Sequence, residues 1–293
     1  MVMSQAVSSK CPLSLCAPDA DRSCFGCCPP IRPHGYDPLN WVSSLKREFR
    51  ENRDAISKNI FSSRSIVGFS CWALGYLDAK GQLIGCLLHP ARNEGRDLRH
   101  LTGYEEKCAR EFCLQAKHFH SLTAPTQTFW LGLAAGLCSF YYSSPRANPL
   151  FHVLLWGPII LEKIAQFALT QDLSVTEIIY AYPFLIRKEL SPRGFRFLFE
   201  SVITRFHDPI FWENQKIEAV VRKIHATLCT EFIGLHGTRY DSGSFYVHQL
   251  GLGEAFADYL RLVHGFRQID PETLPIIKKK AVMALKSVWD FQP

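Results

Sequence analysis

The hydrophobic and polar positions of this chain change period several times, and each change marks an element. Over 38–61, PLNWVSSLKREFRENRDAISKNIF, the apolar residues Leu39, Val42, Leu45, Phe49, Ile56 and Ile60 recur at helical spacing while Lys, Arg and Glu fill the other face. That spacing predicts an amphipathic helix, with Pro38 where a helix favours proline. In FSCWALGYLDAKGQLIGCLLHP, 69–90, two short apolar stretches flank the turn signal DAKG, so a β-hairpin is expected. Cys71 and Cys86 lie near its two ends, and pairing the strands would bring both thiols close.

TGYEEKCAREFCLQAKHFHSL, 102–122, reads as a helix with Thr102 and Glu105 resembling a capping box. Cys108 and Cys113 are five apart, roughly 500° around the axis. They do not lie in line, so either the helix begins between them or one projects from its frayed end. From Pro125 onward ILEKIAQFALTQ, FRFLFESVITRF, NQKIEAVVRKIHATLCTEFI and LPIIKKKAVMALKSVWDF each place apolar residues three and four apart. Asp208–Pro209 and Thr273 to Pro275 punctuate these helices. The expected fold class is mainly α. Residues 1–122 form a small irregular Cys-rich metal-binding module with a short β-hairpin, followed by an α-helical domain at 123–293.

Composition agrees with a packed core: 47% of the 293 residues are hydrophobic and 20% charged. The net charge of +6 is spread along the chain and gives no clear sign of nucleic-acid binding. The apolar run FWLGLAAGLCSFYY, 129–142, is too short to span a bilayer, which takes about 20 residues. PLFHVLLWGPII, 149–160, is interrupted by His152 and Pro158. Buried helices are expected at both places, not membrane insertion.

Eleven cysteines change the picture more than charge does, because nine of them precede residue 114. MVMSQAVSSK, at the start, has no apolar stretch of signal-peptide type, so a reducing, cytoplasmic setting is expected, where clustered thiols bind metal more often than they pair. Residues 1–38 are rich in Cys, Pro, Ser and Asp without helical period, and such a segment needs a cross-link to be ordered. In CFGCC, Cys24 and Cys27 have the C-x-x-C spacing that lets two thiolates on one turn face one cation. Cys28 points elsewhere, toward another ligand position or a second metal. The ligand set read from these patterns is Cys24, Cys27, Cys28, Cys71, Cys86, Cys108 and Cys113. Thiolates of this kind suit zinc or an iron–sulfur cluster equally. His89, three after Cys86, is a further candidate, and His118 and His120 are weaker ones. Cys138 and Cys229 lie in apolar helical segments and are expected to be ordinary buried cysteines.

The order CxxCC, a helix, Cys71-x-x-Leu74 with YLD, GCLLHPAR and a closing Cys pair resembles the YkgJ-type cysteine-cluster family of zinc- or iron-chelating domains. The likeness covers about residues 11–120, with Cys24, Cys27, Cys28, Cys71, Cys86, Cys108 and Cys113 on the pattern. Asp21 stands where the family has a further cysteine, leaving Cys16 or Cys11 as a substitute. HPAR replaces the family's Arg-Pro order, and NEGRDLRHLTGY is inserted before Cys108. The family includes modules attached to protein-lysine methylases of flagellin, so an iron–sulfur-dependent enzyme of that kind is the alternative the resemblance implies.

Beyond residue 125 no nucleophile motif, paired carboxylates or phosphate loop stands out. GLHGTRYDSGSFYVHQLGLGE collects His236, Arg239, Asp241, Tyr246 and His248 in an expected surface loop. GLGEAF lacks the third glycine and the strand–helix context of a dinucleotide loop. Lys278 to Lys280 read as a solvated helix face. Phe195, Phe197, Phe199, Phe211 and Trp212 are expected to be mostly core, with some left for a protein partner or small ligand.

Overall fold

The structure is a computed structural model that describes residues 13–28, 35–61, 70–110, 113–205, 214–235 and 244–289. It divides into two units, Met1–Phe151 and His152–Pro293. The division falls inside a short helix, about thirty residues beyond the SLTAPTQ segment where the composition changes. Twelve α-helices and two small antiparallel sheets make up the regular structure of the described residues, so the fold is mainly α.

In the first unit, Pro38–Trp41 forms a 3-10 turn capped by the Asp37 carboxylate, which accepts from the Leu39 amide. Helix α1, Val42–Ser57, follows. Its apolar stripe is the expected one, with Leu45 and Phe49 fully buried, though Ile60 lies past the helix and is exposed. Two polar residues on the same face, Glu48 and Asn52, are also buried. The hairpin pairs β1, Leu74–Tyr76, with β2, Ile84–Cys86, and sets Leu74 opposite Cys86.

The expected helix over 102–122 is two helices. They are α2, Glu105–Arg110, and α3, Leu114–His120, with Cys113 as the N-cap of the second. A Cys113 thiol accepting from the Ala116 amide at 3.4 Å supplies the cap, so the helix restarts at the cysteine. The Thr102 hydroxyl accepts from the Tyr104 amide and sits in a 3-10 turn, Arg99–Thr102. Helices α4, Ala124–Leu131, α5, Ser139–Tyr142, and α6, Pro149–Leu154, complete this part of the chain. Phe25, the aromatic of CFGCC, is fully buried between Phe49 and Phe140, with ring centroids 5.3 Å from each. A bulky apolar anchor inside the cysteine motif thus seats the motif on the core.

The second unit contains α7, Pro158–Thr170, α8, Val175–Ala181, α9, Pro192–Arg205, α10, Asn214–Glu231, α11, Glu254–Leu262, and α12, Thr273–Trp289. Helix α9 packs along α11, and α10 packs on α9 and α12. Trp156, Phe184 and Phe199 form a buried aromatic cluster. Two bidentate ion pairs support the packing, Arg187, in the segment before α9, to Glu218 of α10, and Arg193 of α9 to Asp258 of α11. A two-residue sheet pairs β3, Phe245–Tyr246, with β4, Gln268–Ile269, inside what reads as a loop. Thr273 to Pro275 is the first turn of α12, not a break. Lys280 of the basic run pairs with Glu231 at 2.6 Å. Asp208–Pro209, Phe211, Trp212, His236, Arg239, Asp241 and Cys11 lie outside the described residues. No helix among the described residues is long and apolar enough to cross a membrane.

Candidate metal centre

The cysteine motif is held by serines that the sequence hides in an apolar run. The Ser139 hydroxyl accepts from the Ser23 amide at 3.0 Å, and the Ser143 hydroxyl accepts from the Phe25 amide at 3.0 Å. The Ser23 hydroxyl in turn accepts from the Ile84 amide at 2.7 Å, joining the motif to β2 two residues before Cys86. Gly26 lies so close to the carbonyl of Ser143 that a Cβ there would sit 2.8 Å from its oxygen. The Cys28 amide closes the turn onto the carbonyl of Phe25 at 3.1 Å. Upstream, the Cys24 amide donates to the Cys16 carbonyl at 2.9 Å, and the Tyr142 hydroxyl donates to the Leu15 carbonyl at 3.0 Å. Cys16 also shares a cleft with Ala116, Lys117 and Phe119, on the helix that Cys113 caps.

These constraints gather the thiols into sets. Burial first, then the charges of Cys27 and Cys113, push the Cys16 thiol up to about 11. Burial raises Cys24 further, with Cys27, Cys16 and Cys113 adding to it. Cys113 is raised by burial and then by Cys27. Charge interactions therefore link every pair among Cys16, Cys24, Cys27 and Cys113, and Cys28 is linked to Cys24 and Cys27 as well.

Cys71, Cys86 and Cys108 make a second set. Burial leads in raising all three thiols; Cys71 and Cys108 then raise Cys86, which reaches about 11, and Cys108 raises Cys71. Cys28 is raised first by its hydrogen bond to Cys27, then by burial, with Cys27, Cys24 and Cys86 acting on it as well. It stands between the two sets, and it packs with Cys71 and Cys86 on one core cluster.

The donor chemistry fits a soft cation. All the described cysteines are free thiols. The amides of Gly26, Ala73 and Leu88 face the sulfurs of Cys24, Cys71 and Cys86, two residues back along the chain, and those of Gln115 and Ala116 face Cys113. Such N–H donors favour the thiolate, the form a metal binds. Arg99 adds a cation to the second set. It donates to the Cys108 carbonyl at 3.2 Å, interacts with Cys86 and Cys108, and is clamped by the Asp97 carboxylate at 2.6 Å. Asn52 on α1 fixes the turn before β1 by donating to the carbonyls of Cys71 and Leu74.

The seven cysteines expected as ligands from the sequence, and Cys16 with them, are linked by these charge interactions, but no three of their sulfurs form a close donor group among the described residues. His89 caps the 3-10 turn Pro90–Arg92, its Nδ1 accepting from the Ala91 amide at 3.2 Å. His118 is buried in α3 and His120 is exposed. Cys138 and Cys229 are exposed, against expectation: Cys138 stands at the N-cap position of the four-residue α5 without a side-chain cap bond, and Cys229 lies on α10. Sequence reasoning passed over Asn52, on the predicted first helix, and Arg99, hidden in an insert. It also passed over a separate donor group in the second unit. His225, Cys229 and His264 have ligand atoms all within 4.8 Å of one another, the one such group of three among the described residues. The thiol sets of the first unit are more open than this. Comparison with protein-family models, with curated proteins and with solved structures finds no match to this chain.

Proposed function

We propose that the protein binds metal through its first unit, at two thiolate sets. Cys16, Cys24, Cys27 and Cys113 form one, and Cys28, Cys71, Cys86 and Cys108 form the other. The observation that carries this reading is the division of the adjacent cysteines of CFGCC. Cys24 and Cys27 interact with Cys16 and Cys113, whereas Cys28 also reaches Cys86. The Cys27 and Cys28 thiols meet through a hydrogen bond, and it is the further reach of Cys28 to Cys86 that assigns it, on this reading, to the second centre. Around zinc, four thiolates at about 2.3 Å stand roughly 3.8 Å apart, so each set closes inward on its cation. Zinc or an iron–sulfur cluster meets the donor set in either place.

The helical second unit serves, on this reading, as the surface for a protein partner or small ligand. Ile159, Leu169 and Tyr180 are large apolar side chains exposed on α7 and α8, which supports that role. The absorption spectrum and metal content of protein purified without oxygen test the metal assignment. Either a brown sample with iron and sulfide or a colourless one with stoichiometric zinc supports it. Metal-free protein with a stable fold and no uptake of zinc or iron would overturn it.

A further inference from the structure

The second unit carries a donor cluster that no step of the preceding reading uses. His225 and Cys229 are four apart on α10, so they share one face of the helix. His264 follows the C-cap of α11, Val263, and its amide donates to the Tyr259 carbonyl at 3.4 Å. Gly265, at φ +71°, then turns the chain away, leaving the imidazole facing α10.

The three ligand atoms lie at separations that one ion can span. The Cys229 sulfur lies 3.6 Å from Nε2 of His225 and 3.7 Å from Nδ1. Tetrahedral zinc, with bonds of about 2.3 Å to sulfur and 2.0–2.1 Å to nitrogen, holds those two ligand atoms roughly 3.5 Å apart. The separation suits a shared ion, although the near-equal distances set the sulfur against the ring face, so the His225 ring must turn to aim Nε2 at the same cation. The Tyr259 hydroxyl, on a fully buried ring, lies 3.1 Å from Nδ1 of His225. Engaging Nδ1 leaves Nε2 for a metal, the outer-shell arrangement that orients ligating imidazoles. Phe195 flanks His225 with ring centroids 5.1 Å apart, and Phe232 and Tyr259 flank His264 at 4.9 and 4.8 Å. Aromatic walls thus cover the imidazoles, while the thiol side is exposed.

We propose that His225, Cys229 and His264 form a separate transition-metal site, suited to zinc, whose fourth position is open to water or a ligand. Two imidazoles and one thiolate leave one tetrahedral position unfilled, and such three-ligand sites with an exchangeable water are the reactive kind. Structural zinc sites are closed by four protein ligands, as the thiolate sets of the first unit would be.

The test counts zinc bound by the metal-free full chain and records cobalt(II) spectra of the same protein. Cys229→Ala, at an exposed position, and His264→Gln should each bind one equivalent less than the unaltered chain. Azide should shift the visible cobalt bands of the unaltered chain and lose that part of its effect in Cys229→Ala. Cys71→Ser, in the first unit, should leave the azide response intact, so failure here is separable from failure of the thiolate sets. An unchanged equivalent count in Cys229→Ala overturns the site, even if His264→Gln misfolds. Loss of the equivalent without any azide response overturns the open position.

Discussion

Asn52 donates its side-chain amide to the carbonyl of Cys71 at 3.2 Å, and the same nitrogen reaches Leu74 at 2.9 Å. One buried residue of α1 therefore fixes the turn that delivers Cys71 to its set. Asn52→Leu takes the donor from the Leu74 carbonyl, a cost of about 1–3 kcal/mol, while the Cys71 carbonyl keeps the Leu74 amide at 2.9 Å. The expected outcome is a lower melting temperature together with weakened metal binding at Cys28, Cys71, Cys86 and Cys108, although no thiol is removed. Chelator competition on the variant checks this: unaltered metal retention alongside reduced stability would separate Asn52 from the site.

Gly26 governs the other set in the same indirect way. A Cβ at this position would lie 2.8 Å from a backbone oxygen, that of Ser143, which cannot swing aside as a side-chain tip could. Gly26→Ala should shift the turn and lower metal retention at Cys16, Cys24, Cys27 and Cys113 while the second set stays loaded. Metal analysis after dialysis against a mild chelator reads the difference.

The helical character of the chain was legible because long amphipathic stretches such as 192–205 carry their period in every turn. The hairpin was legible from DAKG between two apolar runs. The break between α2 and α3 was only half visible, because nothing in the pattern requires a cysteine to cap a helix. Within the site, thiols announce themselves by type and spacing. Asn52, Ser139 and Ser143 do not, since each acts through hydrogen bonds to backbone far away in sequence. The His225, Cys229 and His264 group was hidden for a related reason. Two of its members sit on one helix, and the third arrives from a helix end that only tertiary packing brings near.

The pH dependence should change sign with metal. Burial holds the Cys86 thiol up at about 11, above its ordinary value of 9.0, and raises Cys71 and Cys108 in the same direction. In metal-free protein a raised thiol pKa contributes stability below about pH 9, where the thiols are protonated in both states. That contribution is lost as pH rises toward about 11, because the unfolded chain ionises first. Metal-loaded protein holds thiolates, and protons compete with the cation as pH falls. Thermal unfolding followed across pH should therefore show metal-free protein weakening on the alkaline side and loaded protein weakening on the acid side. Parallel curves for the two forms would count against thiolate ligation.

Native mass spectrometry of the full chain, purified without oxygen, measures the claim of two separate thiolate sets most directly. In a Cys229→Ala background only those sets are counted. The unaltered sets should carry two zinc ions or two clusters; Cys113→Ser should lose one and keep the other, Cys71→Ser should lose the other and keep the first, and the double variant should lose both. A single metal lost equally from Cys113→Ser and Cys71→Ser would contradict the account, because all eight thiols would then serve one centre.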